Sequence, residues 1–176
     1  MNLFRLALPV IVLAVLAFAG ACRGSGGLSL EEYFKRLDEI DNRSGERTDA
    51  LQSQFDLISD ETRTDQERID AAQSTFPEFA TILDEFLESL DKLEPPKEVQ
   101  ADHEEAVEAG REAFTFFDDI AADVAGAESL AELDQALSVL NSSEASAANQ
   151  GLTDACISLQ KRADDDNIDV NLECGE

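Results

Sequence analysis

The sequence predicts an all-α protein: an elongated up-down-up-down four-helix bundle with an extended C-terminal tail pinned by a disulfide. Three observations point there. Apolar residues recur at helical spacing in four segments separated by short breaks. Ser29-Leu30-Glu31-Glu32, Thr64-Asp65-Gln66-Glu67 and Ser129-Leu130-Ala131-Glu132 each set a hydroxyl three residues before a glutamate, the capping-box signature. The composition is helical too, with no Trp, one Tyr and four Pro in 176 residues. The bundle domain is expected over 29–163.

The first helix starts from the cap at Ser29. Leu30, Phe34, Leu37, Ile40, Leu51, Phe55 and Ile58 form its apolar stripe. Asp41 to Thr48 is polar and contains Gly45, so this stretch is a kink or has no core beneath it; one long helix is expected. The second helix carries Ile69, Ala72, Phe76, Phe79, Ile82, Leu83, Phe86, Leu90 and Leu93, and Pro95-Pro96 ends it. Pro77 removes an amide and disfavours helix at the residue before it. The segment therefore either kinks there or splits into a short and a longer helix.

In the third helix, Val99, His103, Ala106, Gly110, Ala113, Phe117, Ile120 and Val124 alternate steps of four and three, a heptad seam. Phe114 and Phe116 flank it and Gly126 ends it. The fourth stripe runs through Leu130, Leu133, Leu137, Leu140, Ala148, Leu152, Ala155 and Leu159. Asn141 to Ala148 is small and polar, a place to bend or fray, and helix reaches about Ala163. Short connections make sequential helices antiparallel neighbours. A helix of about 29 residues is roughly 43 Å long, so the domain is a rod. The start of the first helix, Pro95-Pro96 and the C-terminal tail then share one end. The loops near 60–64 and 126–128 share the other.

In the tail, 164–176, Ile168, Val170 and Leu172 alternate with polar residues, the strand period. Cys156 lies about two turns, roughly 10 Å, before the helix end. An extended tail reaches back that far, so Cys156 and Cys174 are expected to pair, with a loop-closure stabilisation of about 3 kcal/mol.

Residues 1–21 have a charged start at Arg5 and an apolar core from Leu6 to Ala19, the anatomy of a signal peptide. The apolar run is about 14 residues, short of the ~20 that span a bilayer. Ala19-Gly20-Ala21-Cys22 resembles the lipobox of bacterial lipoproteins, with Ala19 where Leu is commoner. The resemblance covers the first 22 residues. It implies that Cys22 receives a diacylglycerol thioether, becomes the mature N-terminus and ties the chain to the outer face of a bacterial membrane. Two buried acyl chains anchor stably where one does not. The domain beyond has a slighter resemblance to uncharacterised helical lipoproteins, which implies no activity. Residues 22–28, with Gly24-Ser25-Gly26-Gly27, read as a flexible tether. Ordinary secretion is the bland alternative, because Ala17-Phe18-Ala19 also suits a cleavage site. The odd count of three cysteines agrees with lipidation: it leaves Cys156 and Cys174 as a pair that oxidises outside the cytoplasm.

The formal charge is -26. Such a field repels nucleic-acid phosphates and anionic head groups, so no nucleic-acid partner is expected. It attracts divalent cations and basic proteins. Counting a calcium loop from Asp165 puts Asp165, Asn167, Asp169, Asn171, Glu173 and Glu176 at ligand positions. Val170, however, stands where the loop needs Gly. Loose calcium binding by Asp165, Asn167 and Asp169 is the cation reading that remains, and no other cofactor or metal is expected.

His103 is the one histidine, so zinc sites built on histidines lack ligands. Gln100 stands where a ferritin-like Glu-x-x-His would need Glu. His103 is expected as a boundary residue, hydrogen-bonded near the Pro95-Pro96 turn. Gly24-Ser25-Gly26 is linker and no strand precedes it, so it is no nucleophile elbow. Phe76, Phe79, Phe86, Phe114, Phe116 and Phe117 suit core packing, or a slot for a small apolar ligand.

The expected function is a lipid-anchored, non-enzymatic envelope domain that acts as a scaffold or protein-binding module, with an envelope protein as partner. The alternatives are a binding protein for a divalent cation or small apolar ligand, and a hydrolase using a carboxylate pair.

Overall fold

The computed structural model describes residues 27–172 and 174. The signal segment 1–21, Cys22, most of the tether 22–28, Glu173 and Glu176 lie outside the described residues. Within them the protein is all-α. The helices are α1 (Leu30–Ser59), α2 (Asp65–Asp91), α3 (Gln100–Ala125), α4 (Leu130–Ser138) and α5 (Ser143–Asp165), with a 3₁₀ turn, Val139–Asn141, between the last two. No strand occurs among the described residues. No helix among them is long and apolar enough to cross a membrane.

The caps set the helix starts. At α1 the Ser29 hydroxyl accepts from Glu32 N and the Glu32 carboxylate accepts from Ser29 N, a complete capping box. Thr64 and Glu67 form the same box at α2. The expected third box is half made. Ser129 accepts from Glu132 N, but the Glu132 carboxylate accepts from the Glu128 amide one residue upstream.

α1 runs unbroken through Gly45, whose missing side chain faces open space. α2 runs unbroken through Pro77, so the split reading does not hold. The fourth stripe is broken instead. Helix stops at Ser138, turns through Val139–Asn141 and restarts at Ser143 after the cap residue Ser142, whose hydroxyl accepts from Ala145 N. No glutamate stands three residues after Ser142, so the sequence carries no capping box there.

The helices pack as a bundle: α1 on α2, α2 on α3, α3 on α5 and α4, and α4 on α2. Two cores form, one at each end. One gathers Tyr33, Phe34, Leu37, Leu93, Val99, Leu159, Ala163 and Leu172. The other gathers Ile58, Ile69, Phe76, Ile120, Val124, Ala127 and Leu133. Between Ile40 and Ile58 α1 buries no residue fully, and α5 buries none before Ala155. The polar stretch 41–48 and the small residues of 143–154 thus share a thin waist. Gly110 leaves room there for a neighbouring side chain: a Cβ on it would lie 2.4 Å from Leu87 Cδ2.

Helix C-termini leave carbonyls without intrahelical partners, and α1 to α4 carry no basic residue in their last turns. Neighbouring helices supply the donors. Arg68 Nε on α2 donates to Ile58 O at the end of α1, at 2.8 Å. Gln73 Nε2 donates to Ala125 O and Ala127 O, closing the end of α3. Side chains of α2 therefore fix both helix ends at the 60–64 and 126–128 end.

Candidate functional site

The tether end of the bundle gathers the chain's chemistry-bearing residues. Leu28 and Leu30, which lead in from the tether, pack on the same core as Ile168, Val170 and Cys174 of the tail. Chain entry and chain exit are thereby held on one surface.

The tail is turned back by the end of α5. Ile168 N donates to Ala163 O at 2.9 Å and Asn167 N donates to Asp164 O at 3.0 Å. Together they make a Schellman motif, with Asn167 in the left-handed position at φ 56°. Asn is the commonest substitute for Gly in that conformation because its short amide bonds locally. Beyond it Ile168 and Val170 are half-buried and Leu172 buried, while Asp169 and Asn171 face solvent. The expected inward–outward alternation is present, without a regular strand.

Gln160 holds this segment to α5. Its Nε2 donates to Val170 O at 3.1 Å, and its Oε1 accepts from Leu172 N at 2.7 Å. One side-chain amide thus stands in for the edge of a neighbouring strand. Sequence reasoning missed Gln160, because a polar residue on a helix facing an irregular tail leaves no periodic signal. Arg162 Nη2 donates to Glu98 O and ties α5 to the connection before α3. Cys156 and Cys174 sit at disulfide-bonding distance, with Cα atoms 5.4 Å apart, inside the range disulfides require.

Tyr33 and His103 meet in the core beside this tail. Tyr33 is fully buried and His103 only 5% exposed. The Tyr33 hydroxyl lies 3.1 Å from His103 Nδ1, and the rings stand edge to face at 5.8 Å. Burial lowers the His103 pKa, against the pull of Asp91 and Glu104. Burial, with the Asp102 charge, raises that of Tyr33, so the hydroxyl keeps its proton and remains a donor. His103 is thus buried rather than at the boundary expected of it, and its observed side-chain partner is Tyr33 on α1. Tyr33 stands three residues after Leu30 and four before Leu37, a spacing that puts it on the buried face.

The other candidate residues are dispersed. Asp165 closes α5, Asn167 is the left-handed cap residue and Asp169 points outward; all three are exposed. No group of three or more His, Cys, Asp or Glu placed to hold a metal occurs among the described residues. The six phenylalanines do not line one slot. Phe86 packs on the tether-end core, while Phe76 and Phe116 pack on the far core. Phe55, Phe79, Phe117 and Phe116 form an edge-to-face chain with centroids 5.3–5.9 Å apart. Phe114 lines a shallow groove of about 360 Å³ between α2 and α3, with Asp84 and Asp118 at its sides.

The chain matches no protein-family model, no curated protein and no solved structure.

Proposed function

We propose that the protein is a lipid-anchored, non-catalytic helical module of the bacterial cell envelope, acting as a scaffold or protein-binding element on the outer face of a membrane. The observation that carries this reading is positional. Ala19-Gly20-Ala21-Cys22 stands seven residues before the Ser29 cap, and Leu28 already packs on the tether-end core. A lipid on Cys22 would hold that end of the rod at the bilayer and project the 60–64 and 126–128 loops outward. A protein-binding role, rather than a bare spacer, is favoured by Val139, Leu140 and Ile157, large apolar side chains left exposed on the turn and α5. Replacing Cys22 with Ser is expected to move the protein from the membrane to the soluble fraction. Retention of the variant in the membrane fraction counts against the reading.

In finer detail, α4, the 3₁₀ turn and α5 act as one broken fourth helix, which makes the bundle four-helix and up-down-up-down. The register supports this: α5 places Gly151 against Ala109 of α3, while α4 adds Leu133 to the far core. The Cys156–Cys174 disulfide forms on export and pins the tail. Non-reducing peptide mapping of the exported protein is expected to recover that linked pair. Free thiols at both positions, or a link to another chain, would contradict it.

A further inference from the structure

The shallow groove between α2 and α3 joins an apolar floor to acidic walls. Ala80 and Ala121 are buried in the floor and add no bulk, so another helix can approach closely. Phe114 is half-buried at one end, and Asp84 and Asp118 stand exposed at the sides. From Phe114 to Ala125 the groove follows α3 for about three helical turns, ~17 Å.

The surroundings deepen this negative charge instead of cancelling it. α2 and α3 carry eight acids and one arginine each. Both arginines are committed: Arg68 Nε donates to Ile58 O, and Arg111 pairs with Asp91. Arg47 of α1 is taken by Glu85. Lys92, just past α2, pairs with Glu88 and feels Asp84 more weakly. Lys97, before α3, lies more than about 20 Å along the axis from Phe114, beyond the ~8 Å screening length at physiological ionic strength. Asp84 and Asp118 take part in no salt bridge among the described residues.

We propose that this groove docks a basic amphipathic helix of an envelope protein. The apolar ridge of that helix lies on the alanine floor. A Lys or Arg beside the ridge lays its stem on Phe114 while its charge meets Asp84 and Asp118. A second copy of this chain, at net charge -26, is repelled, and so is an anionic bilayer, which disfavours both as occupants. The proposal names the partner for the protein-binding reading and rests on it; it does not depend on the lipid anchor.

So acidic a chain draws any cation loosely, and the test must separate the groove from the field. The full chain carrying Cys22→Ser is titrated with a synthetic helix of about five turns, a leucine ridge flanked by lysines. A second peptide has the same composition in scrambled order, hence the same charge without the ridge. The ordered helix is expected to bind more tightly. Asp84→Asn/Asp118→Asn should weaken it by about tenfold, roughly threefold for each pair. Glu46→Gln/Asp49→Asn, on exposed positions of α1, removes the same charge and should leave the affinity nearly unchanged. Ala122→Leu, at an exposed lining position, obstructs the groove without touching its charge and should weaken binding too. Circular dichroism checks that each variant stays folded. Backbone amide NMR shifts should move at 77–84 and 114–125. Equal affinity for the two peptides, or an affinity that survives both the paired aspartate change and Ala122→Leu, overturns the proposal. Shifts clustered instead at Val139, Leu140 and Ile157 overturn it while leaving the protein-binding reading in place. Release of the helix by calcium but not by sodium at matched ionic strength also overturns it, assigning the two carboxylates to a metal ion. So does dimerisation of the free chain that Ala122→Leu abolishes, which would assign the groove to a second copy. Failure of the protein-binding reading would show separately, as no envelope protein crosslinked to the wild-type chain in cells.

Discussion

The Tyr33 hydroxyl and His103 Nδ1 lie 3.1 Å apart across 70 residues of chain, inside the core that joins α1 to α3. Among the described residues, each is the other's only side-chain hydrogen-bond partner. Tyr33→Phe keeps the ring and its packing but strands a buried imidazole nitrogen, a loss of about 1–3 kcal/mol. Urea denaturation checks this. A change below about 0.5 kcal/mol, the size of an ordinary surface substitution, would show that the bond contributes nothing.

The same pair predicts a pH dependence. The folded His103 pKa is lowered, so the unfolded chain takes up the proton more readily. Its contribution is fully present above the unfolded value of about 6.5 and is lost as pH falls below it. The carboxyls of Glu32, Glu67, Glu88 and Glu144, lowered chiefly by hydrogen bonds, act in a lower window. Their contributions are present above about pH 4.5 and are lost as pH falls through their folded values. Stability measured from pH 7.5 downward should therefore fall in two stages. His103→Gln should remove the first stage and leave the second. An unchanged upper stage in the variant would show that another group carries it.

Gln160 is expected to govern the tail more than its half-buried setting suggests. Gln160→Ala removes the bonds to Val170 O and Leu172 N and should cost about 1–2 kcal/mol. Amide hydrogen exchange at Leu172 should accelerate with the disulfide intact. Gln160→Glu keeps the acceptor for Leu172 N, so that amide should stay largely protected. Equal exchange in wild type and Gln160→Ala would mean that the cysteine pair alone holds the tail.

Much of the fold was legible because helices announce themselves by period and cap. The Ser29 and Thr64 boxes mark helix starts correctly, and seven of the eight seam residues of α3 are buried. The break at Val139–Asn141 was only hinted at, since small polar residues permit bending without locating it. The Tyr33–His103 bond and the Gln160 clamp were illegible for a different reason: both depend on which side chains meet across the bundle. Phe117 is the seam residue that is not fully buried. Gly151 opposes Ala109, and following the antiparallel register brings Phe117 level with the break before α5, where the cover is thin.

That exposure changes the expected energetics. Phe34→Ala, at a fully buried site, should cost about 3–5 kcal/mol. Phe117→Ala should cost clearly less, about 2 kcal/mol, because its ring is already partly in water. Chemical denaturation of the two variants side by side gives the order. A larger loss for Phe117 would mean that the waist is packed more tightly than the thin cover allows.

The central claim is that Cys22 ties this rod to a membrane, and metabolic labelling with an alkyne fatty acid tests it most directly. The wild-type chain, expressed in a bacterium with lipoprotein-processing enzymes, should carry the label, and Cys22→Ser should carry none. Equal labelling of both, or of neither, would contradict the account.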